Sequence, residues 1–172
     1  TEAVDLHQVL RSSQISTQLD TGYLATEESF RNLGINEPSP RILHVATHGF
    51  FFPDPKESVS HRQVEVETEP VFKTSEHPMI RSGLILAGAQ QAWSTGKAPG
   101  HREDGILTAY EISQMNLSNT ELVVLSACET GLGQVEGNEG VYGLQRAFKI
   151  AGAKYLIMSL WKVNDQSTRE LM

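Results

Sequence analysis

The chain has 172 residues, a formal net charge of −7, a 39% hydrophobic and 20% charged composition, and one cysteine. That length suits a single domain able to bury roughly 70% of its unfolded surface. One cysteine excludes an internal disulfide, no apolar run reaches the ~18 residues of a membrane helix, and no basic cluster offers a face to nucleic acid.

A cytoplasmic protein without a signal peptide is therefore the expectation, with neither nucleic acid nor membrane as a partner. The acidic balance mildly favours cationic substrates, although whole-chain charge is a weak guide to one site.

In chain order, Thr1 to Leu10 places Ala3, Leu6 and Leu10 on one face and predicts an amphipathic helix. Gln14 to Thr21 alternates enough to predict a short strand. Thr26 is placed to cap a helix from Glu27 to Leu33, with two acids in its first turn. Pro38 and Pro40 end that unit. Arg41 to Thr47 then predicts a strand whose nearly unbroken apolar character suits a parallel position covered on both faces.

Residues 50 to 82 read as a long loop near the end of that strand. Such loops are functional or mobile, or else disordered excursions, and the sequence leaves both open. Ser82 to Gly88 predicts another strand, and residues 94 to 105 a second long loop. Thr108 reads as a helix N-cap, with Glu111 positioned to complete a capping box.

Glu121 to Cys128 predicts a buried strand opening into a loop with Gly131, Gly133, Gly137 and Gly140. In the next helix Val141, Leu144, Phe148 and Ala151 share one face, and Gly152 supplies the stop. Lys154 to Leu160 predicts a further strand, and Trp161 to Asp165 leads into another helix.

Helices alternating with apolar strands predict an α/β domain with a mostly parallel sheet. Sites in such sheets lie beyond the carboxyl ends of the strands. His48, Cys128 and Asp165 fall at such ends or just after them. The first helix lacks a preceding strand and the last stops after about two turns, so one domain over residues 1–172, truncated at both ends, is expected.

Two strands that each deliver one reactive side chain at the carboxyl end are what a thiol–imidazole pair requires. A free thiol is only a few per cent thiolate at neutral pH, and an adjacent imidazole raises that fraction or takes the proton during attack. Cys128 would attack a carbonyl carbon, His48 would protonate the leaving amine, and the amides of Gly49 and Cys128 would hold the oxyanion. Cysteine is also among the most buried residue types, and spacing alone leaves catalysis and packing both open.

Other site chemistries fit less well. His44 and His48 are four apart, a zinc spacing on a helix, but on a strand they lie roughly 13 Å apart and cannot share a metal. His44 reads as a partly buried, hydrogen-bonded residue, and His7, His61, His77 and His101 as surface residues. Gly131-Leu-Gly133-Gln-Val-Glu-Gly137 departs from the dinucleotide fingerprint, and Glu136 and Glu139 would repel a pyrophosphate. No metal and no cofactor is expected.

His44-Val-Ala-Thr-His48-Gly49, Arg81-Ser-Gly-Leu, Leu125-Ser-Ala-Cys128-Glu-Thr-Gly131 and Gly140-Val-Tyr-Gly-Leu-Gln-Arg-Ala-Phe148 together resemble the CHAT family, as do Ala151-Gly-Ala-Lys and Ser159-Leu-Trp-Lys-Val-Asn-Asp165. The resemblance runs from about Ala25 to Met172. It implies a caspase-haemoglobinase-like three-layer fold with helices on both faces of the sheet, and further strands beyond both ends of the chain.

It also implies a cysteine endopeptidase with His48 and Cys128 as the dyad and the Gly49 and Cys128 amides as the oxyanion hole. Such domains are commonly attached to tetratricopeptide repeats in bacteria. In related separases a Trp-x-Val-x-Asp segment lines the pocket for a basic P1 residue. Trp161-Lys-Val-Asn-Asp165 resembles that segment, making Asp165 the candidate floor of S1, or the N-cap of the next helix, or both. Ser126 occupies the place of a polar S1 residue in caspases and metacaspases.

The function implied is cleavage of a protein or peptide substrate through an acyl-enzyme, after Arg or Lys. The alternative is a catalytically idle module acting as a protein-binding scaffold. A third, more distant, is another acyl transfer.

Overall fold

The computed structural model describes residues 2–55, 70–97, 103–129 and 139–158. Among the described residues five strands form one sheet: β1 (Ile42–Phe51), β2 (Ser82–Ile85), β3 (Ile106–Thr108), β4 (Leu122–Glu129) and β5 (Tyr155–Met158), in the order β3-β2-β1-β4-β5. The helices are α1 (Glu2–Ser12), α2 (Glu27–Arg31), α3 (Val71–Thr74), α4 (Gln90–Thr95), α5 (Ala109–Ser113) and α6 (Glu139–Ile150), with a 3₁₀ turn at Gly22–Leu24. The chain is a mixed α/β protein. β1, β4 and β5 run parallel, while β2 and β3 pair antiparallel at one side.

The parallel strands carry the expected apolar runs. On one face of the sheet Leu43 and Val45 of β1, Val123 and Leu125 of β4, and Leu84 and Leu107 pack against Ile112 of α5 and Leu144, Ala147 and Phe148 of α6. The capping box at Thr108 is present: its hydroxyl accepts from the Glu111 amide at 3.3 Å, and the Glu111 carboxylate accepts from the Thr108 amide at 2.9 Å. Thr26 caps α2 through the Ser29 amide at 3.1 Å. Gly152 ends the α6 unit at φ 108°, a conformation that favours glycine.

Several sequence expectations give way. Gln14 to Thr21 forms no strand. Gln14 adopts φ 61° and, with the Ser13 and Ile15 amides bonding back to the Leu10 carbonyl, closes the end of α1; Ile15 is left 51% exposed, so its alternation has no face to bury. β1 does not stop near His48 but runs to Phe51, because β2 pairs antiparallel with His48–Phe51. α2 ends at Arg31, short of Leu33. Of the two predicted loops, the first holds Phe50–Phe51 of β1, α3 and Ser82 of β2, and the second begins inside α4.

On the opposite face, an aromatic cluster of Phe50, Phe52, Phe72 and Trp93 covers the β3-β2-β1 side, with Phe72 and Trp93 stacked at 5.4 Å between centroids. Arg81 lies fully buried beside it, donating to the Phe52 carbonyl at 3.2 Å and lying 3.6 Å from the Asp54 carboxylate. It ties down the exit of β1. Its Nε is without a partner among the described residues.

The neighbouring Gly83 serves close packing. A Cβ there would run into the Leu107 carbonyl oxygen and lie 2.8 Å from the Phe50 ring. A Cβ on Gly143 of α6 would meet the Ser82 hydroxyl at 2.5 Å. Gly83 thus lets β2 close against β3 and the Phe50 ring, and Gly143 lets α6 close onto β2. Gly83→Ala should therefore overpack the sheet and cost about 2 kcal/mol or more, read as a lowered urea midpoint with unchanged slope.

Candidate functional site

The parallel pairing of β1 with β4 runs from Ile42↔Leu122 to Gly49↔Glu129, and within it His48 is the register partner of Cys128. Register partners on parallel strands share one face and stand about 5 Å apart across the ladder. Residues separated in sequence by 80 positions are thereby adjacent. His48 is exposed, on the face opposite the α5–α6 core. Gly49 follows it in the ladder, opposite Leu84 on β2 and Glu129 on β4.

Alternation places Ser126 on the same face as Cys128, one pleat back, opposite Ala46. Ala46 is exposed, so that row of the sheet is open to solvent. The aromatic cluster bounds the face on the side of β2, beginning at Phe50, two residues after His48. On the other side α1 sits over the first half of β1. Ser126 Oγ donates to Glu2 Oε1 at 2.6 Å, and His44 Nε2 lies 3.0 Å from the same oxygen.

A carboxylate only accepts, so this contact assigns the His44 hydrogen to Nε2. His44 is the partly buried, bonded residue that the sequence suggested, its side chain 12% exposed. His7 is also bonded, to Thr17 at 2.8 Å.

The sheet thus brings together His48, Gly49, Ser126 and Cys128. Asp165 lies outside the described residues, as do the glycines from Gly131 to Gly137. Sequence reasoning missed Glu2. It read α1 only for its apolar face, and nothing in the spacing links residue 2 to Ser126. A first-turn acid on α1 was the one available hint.

An α/β sheet with a histidine and a cysteine in register near the carboxyl ends of adjacent parallel strands belongs to the group of folds that place chemistry at strand ends. The family model of the CHAT domain matches residues 1–172, so the chain belongs to the CHAT domain family, a family related to caspase-like peptidases. The match takes in α1, which the motif resemblance beginning near Ala25 left out. No curated protein and no solved structure matches the chain. Among the described residues, no helix is long and apolar enough to cross a membrane.

The strongest electrostatic perturbation lies away from His48, at Glu27 in the first turn of α2. Its side chain is 2% exposed and accepts from the Gly105 amide at 2.9 Å, joining α2 to the approach of β3. Burial pushes its carboxyl up to about 8, helped by the nearby charge of Glu111 and opposed by the Gly105 hydrogen bond. Arg31 cannot offset this fully, since its Nη1 is shared among Glu27 at 3.5 Å, Glu103 at 2.9 Å and Glu111 at 3.9 Å.

Below pH 4.5 both folded and unfolded chains hold this proton, and the group adds no pH dependence. Between 4.5 and about 8 the unfolded chain releases it while the folded chain keeps it, so stability falls as pH rises. Glu27→Gln keeps an acceptor for Gly105 and cannot ionise. It should flatten the decline across that window and gain a few kcal/mol at pH 9, measured as urea midpoints from pH 5 to 9.

Proposed function

We propose that this domain is a cysteine endopeptidase of caspase-like, three-layer architecture that cleaves a protein or peptide substrate. The observation that carries the reading is the register pairing of His48 with Cys128 on adjacent parallel strands. His48 takes the Cys128 proton as the sulfur attacks the scissile carbonyl, giving a tetrahedral oxyanion held by the amides of Gly49 and Cys128. The imidazolium then returns the proton to the leaving amine. Water, deprotonated by His48, hydrolyses the acyl-enzyme and releases the free thiol.

Several further features belong to the same reading. Ser126, one pleat from Cys128, lines the S1 pocket, and Asp165 forms its floor, so cleavage follows Arg or Lys. The enzyme works in the cytoplasm, joined to tetratricopeptide repeats that present or restrain substrate, without nucleic acid or membrane as a partner. It uses no metal or cofactor, because the thiol and imidazole supply nucleophile and base between them.

Cys128→Ala should abolish cleavage, and His48→Ala should lower it by about 10²–10⁴-fold, with the thermal midpoint of both variants near wild type. The assay is release of a fluorophore from peptides with Arg or Lys at P1, alongside a wild-type control. If the biological output survives Cys128→Ala unchanged, the domain is instead a binding scaffold.

A further inference from the structure

We propose that Glu2 of α1 supplies the negative charge of the P1 pocket and makes the site select a cationic P1 side chain, an inference that rests on the peptidase reading above. Three placements carry it. Ser126 shares a face with Cys128 and lies one pleat back along β4, about 7 Å away. Its hydroxyl donates to Glu2 Oε1 at 2.6 Å, so the carboxylate is fixed next to that pleat. Ala46, the register partner of Ser126, is small and exposed, leaving the row open where a side chain would enter.

The chemistry of the pocket follows from how Glu2 is held. Its two donors, the Ser126 hydroxyl and the His44 imidazole, both end on Oε1. These bonds orient the carboxylate and leave Oε2 without either donor. The side chain is 21% exposed, within reach of a ligand yet partly shielded from water. A substrate acylating Cys128 would extend its P1 side chain toward this row. A guanidinium can pair with a carboxylate through a charge-assisted fork, and an ammonium can reach it as a point charge on a long stem. A neutral P1 side chain gains nothing there, and an acidic one is repelled.

α1 is thereby a wall of the binding site as well as a helix on the sheet. This role does not depend on Asp165.

The test uses two peptidyl chloromethyl ketones that differ only at P1, arginine against its uncharged isostere citrulline. Alkylation of Cys128 in the full-length protein is followed by intact mass. Wild type should react with the arginine probe about tenfold or more faster, the scale of one hydrogen bond to a charged group. Glu2→Gln, which keeps an acceptor for Ser126 and His44, should lower this ratio about tenfold relative to wild type. A ratio unchanged in Glu2→Gln, or a wild-type ratio near one, overturns the inference and leaves the peptidase reading standing. If neither probe labels Cys128 while iodoacetamide does, the peptidase reading is lost and this inference with it. Should Glu2→Gln not fold, the test moves to Asp165→Asn, in which Glu2 is the acid that remains: agmatine, a free guanidinium, is expected to slow the citrulline probe there, and no slowing overturns the assignment.

Discussion

The structure depends on one strand that changes partners along its length. β1 pairs in parallel with β4 through Ile42–Gly49 and antiparallel with β2 through His48–Phe51, and the two pairings overlap only at His48 and Gly49. Those two residues are therefore held from both sides, while the rest of β1 is held from one among the described residues. Backbone position near a reacting centre matters at the level of an ångström. A residue fixed by two ladders needs no further scaffold to keep its place. Gly83 and Gly143 belong to the same arrangement, since each lets a neighbouring element close onto β2 and so keeps β2 against β1.

The two faces of the sheet divide the remaining work. One is closed by α5 and α6 over aliphatic side chains, and supplies the contiguous core. The other is covered in two pieces, by the aromatic cluster over β3, β2 and the end of β1, and by α1 over its beginning. Between them lies an open strip that carries Ala46 and His48, both exposed. Exposed residues on a central strand are unusual, because a parallel sheet ordinarily buries both faces. On the peptidase reading proposed above, the strip is where a substrate chain would reach the sheet.

Much of this was legible in the sequence where the cause is local. The caps at Thr26 and Thr108, the stop at Gly152 and the apolar run of β4 depend on neighbouring residues, and each forms as its chemistry dictates. The adjacency of His48 and Cys128 in the sheet was legible because each follows an apolar run. What sequence could not show depends on partners far along the chain. β1 continues to Phe51 because β2 pairs with it there, and Gln14 to Thr21 stays irregular, with no strand among the described residues paired to it. The bond from Ser126 to Glu2 spans 124 positions and has no periodic signature.

Thr108 is at once the last residue of β3 and the N-cap of α5, so strand passes into helix with no residue between. The outer edge of the sheet on that side is accordingly only three residues long and terminates in a closed capping box. A long, flat edge invites another chain to add itself by main-chain pairing, and such additions seed aggregates. Here an incoming strand would find too few free amides and carbonyls to register against before meeting a helix. The same junction that orders α5 also blunts the β3 edge of the sheet as a template for added strands.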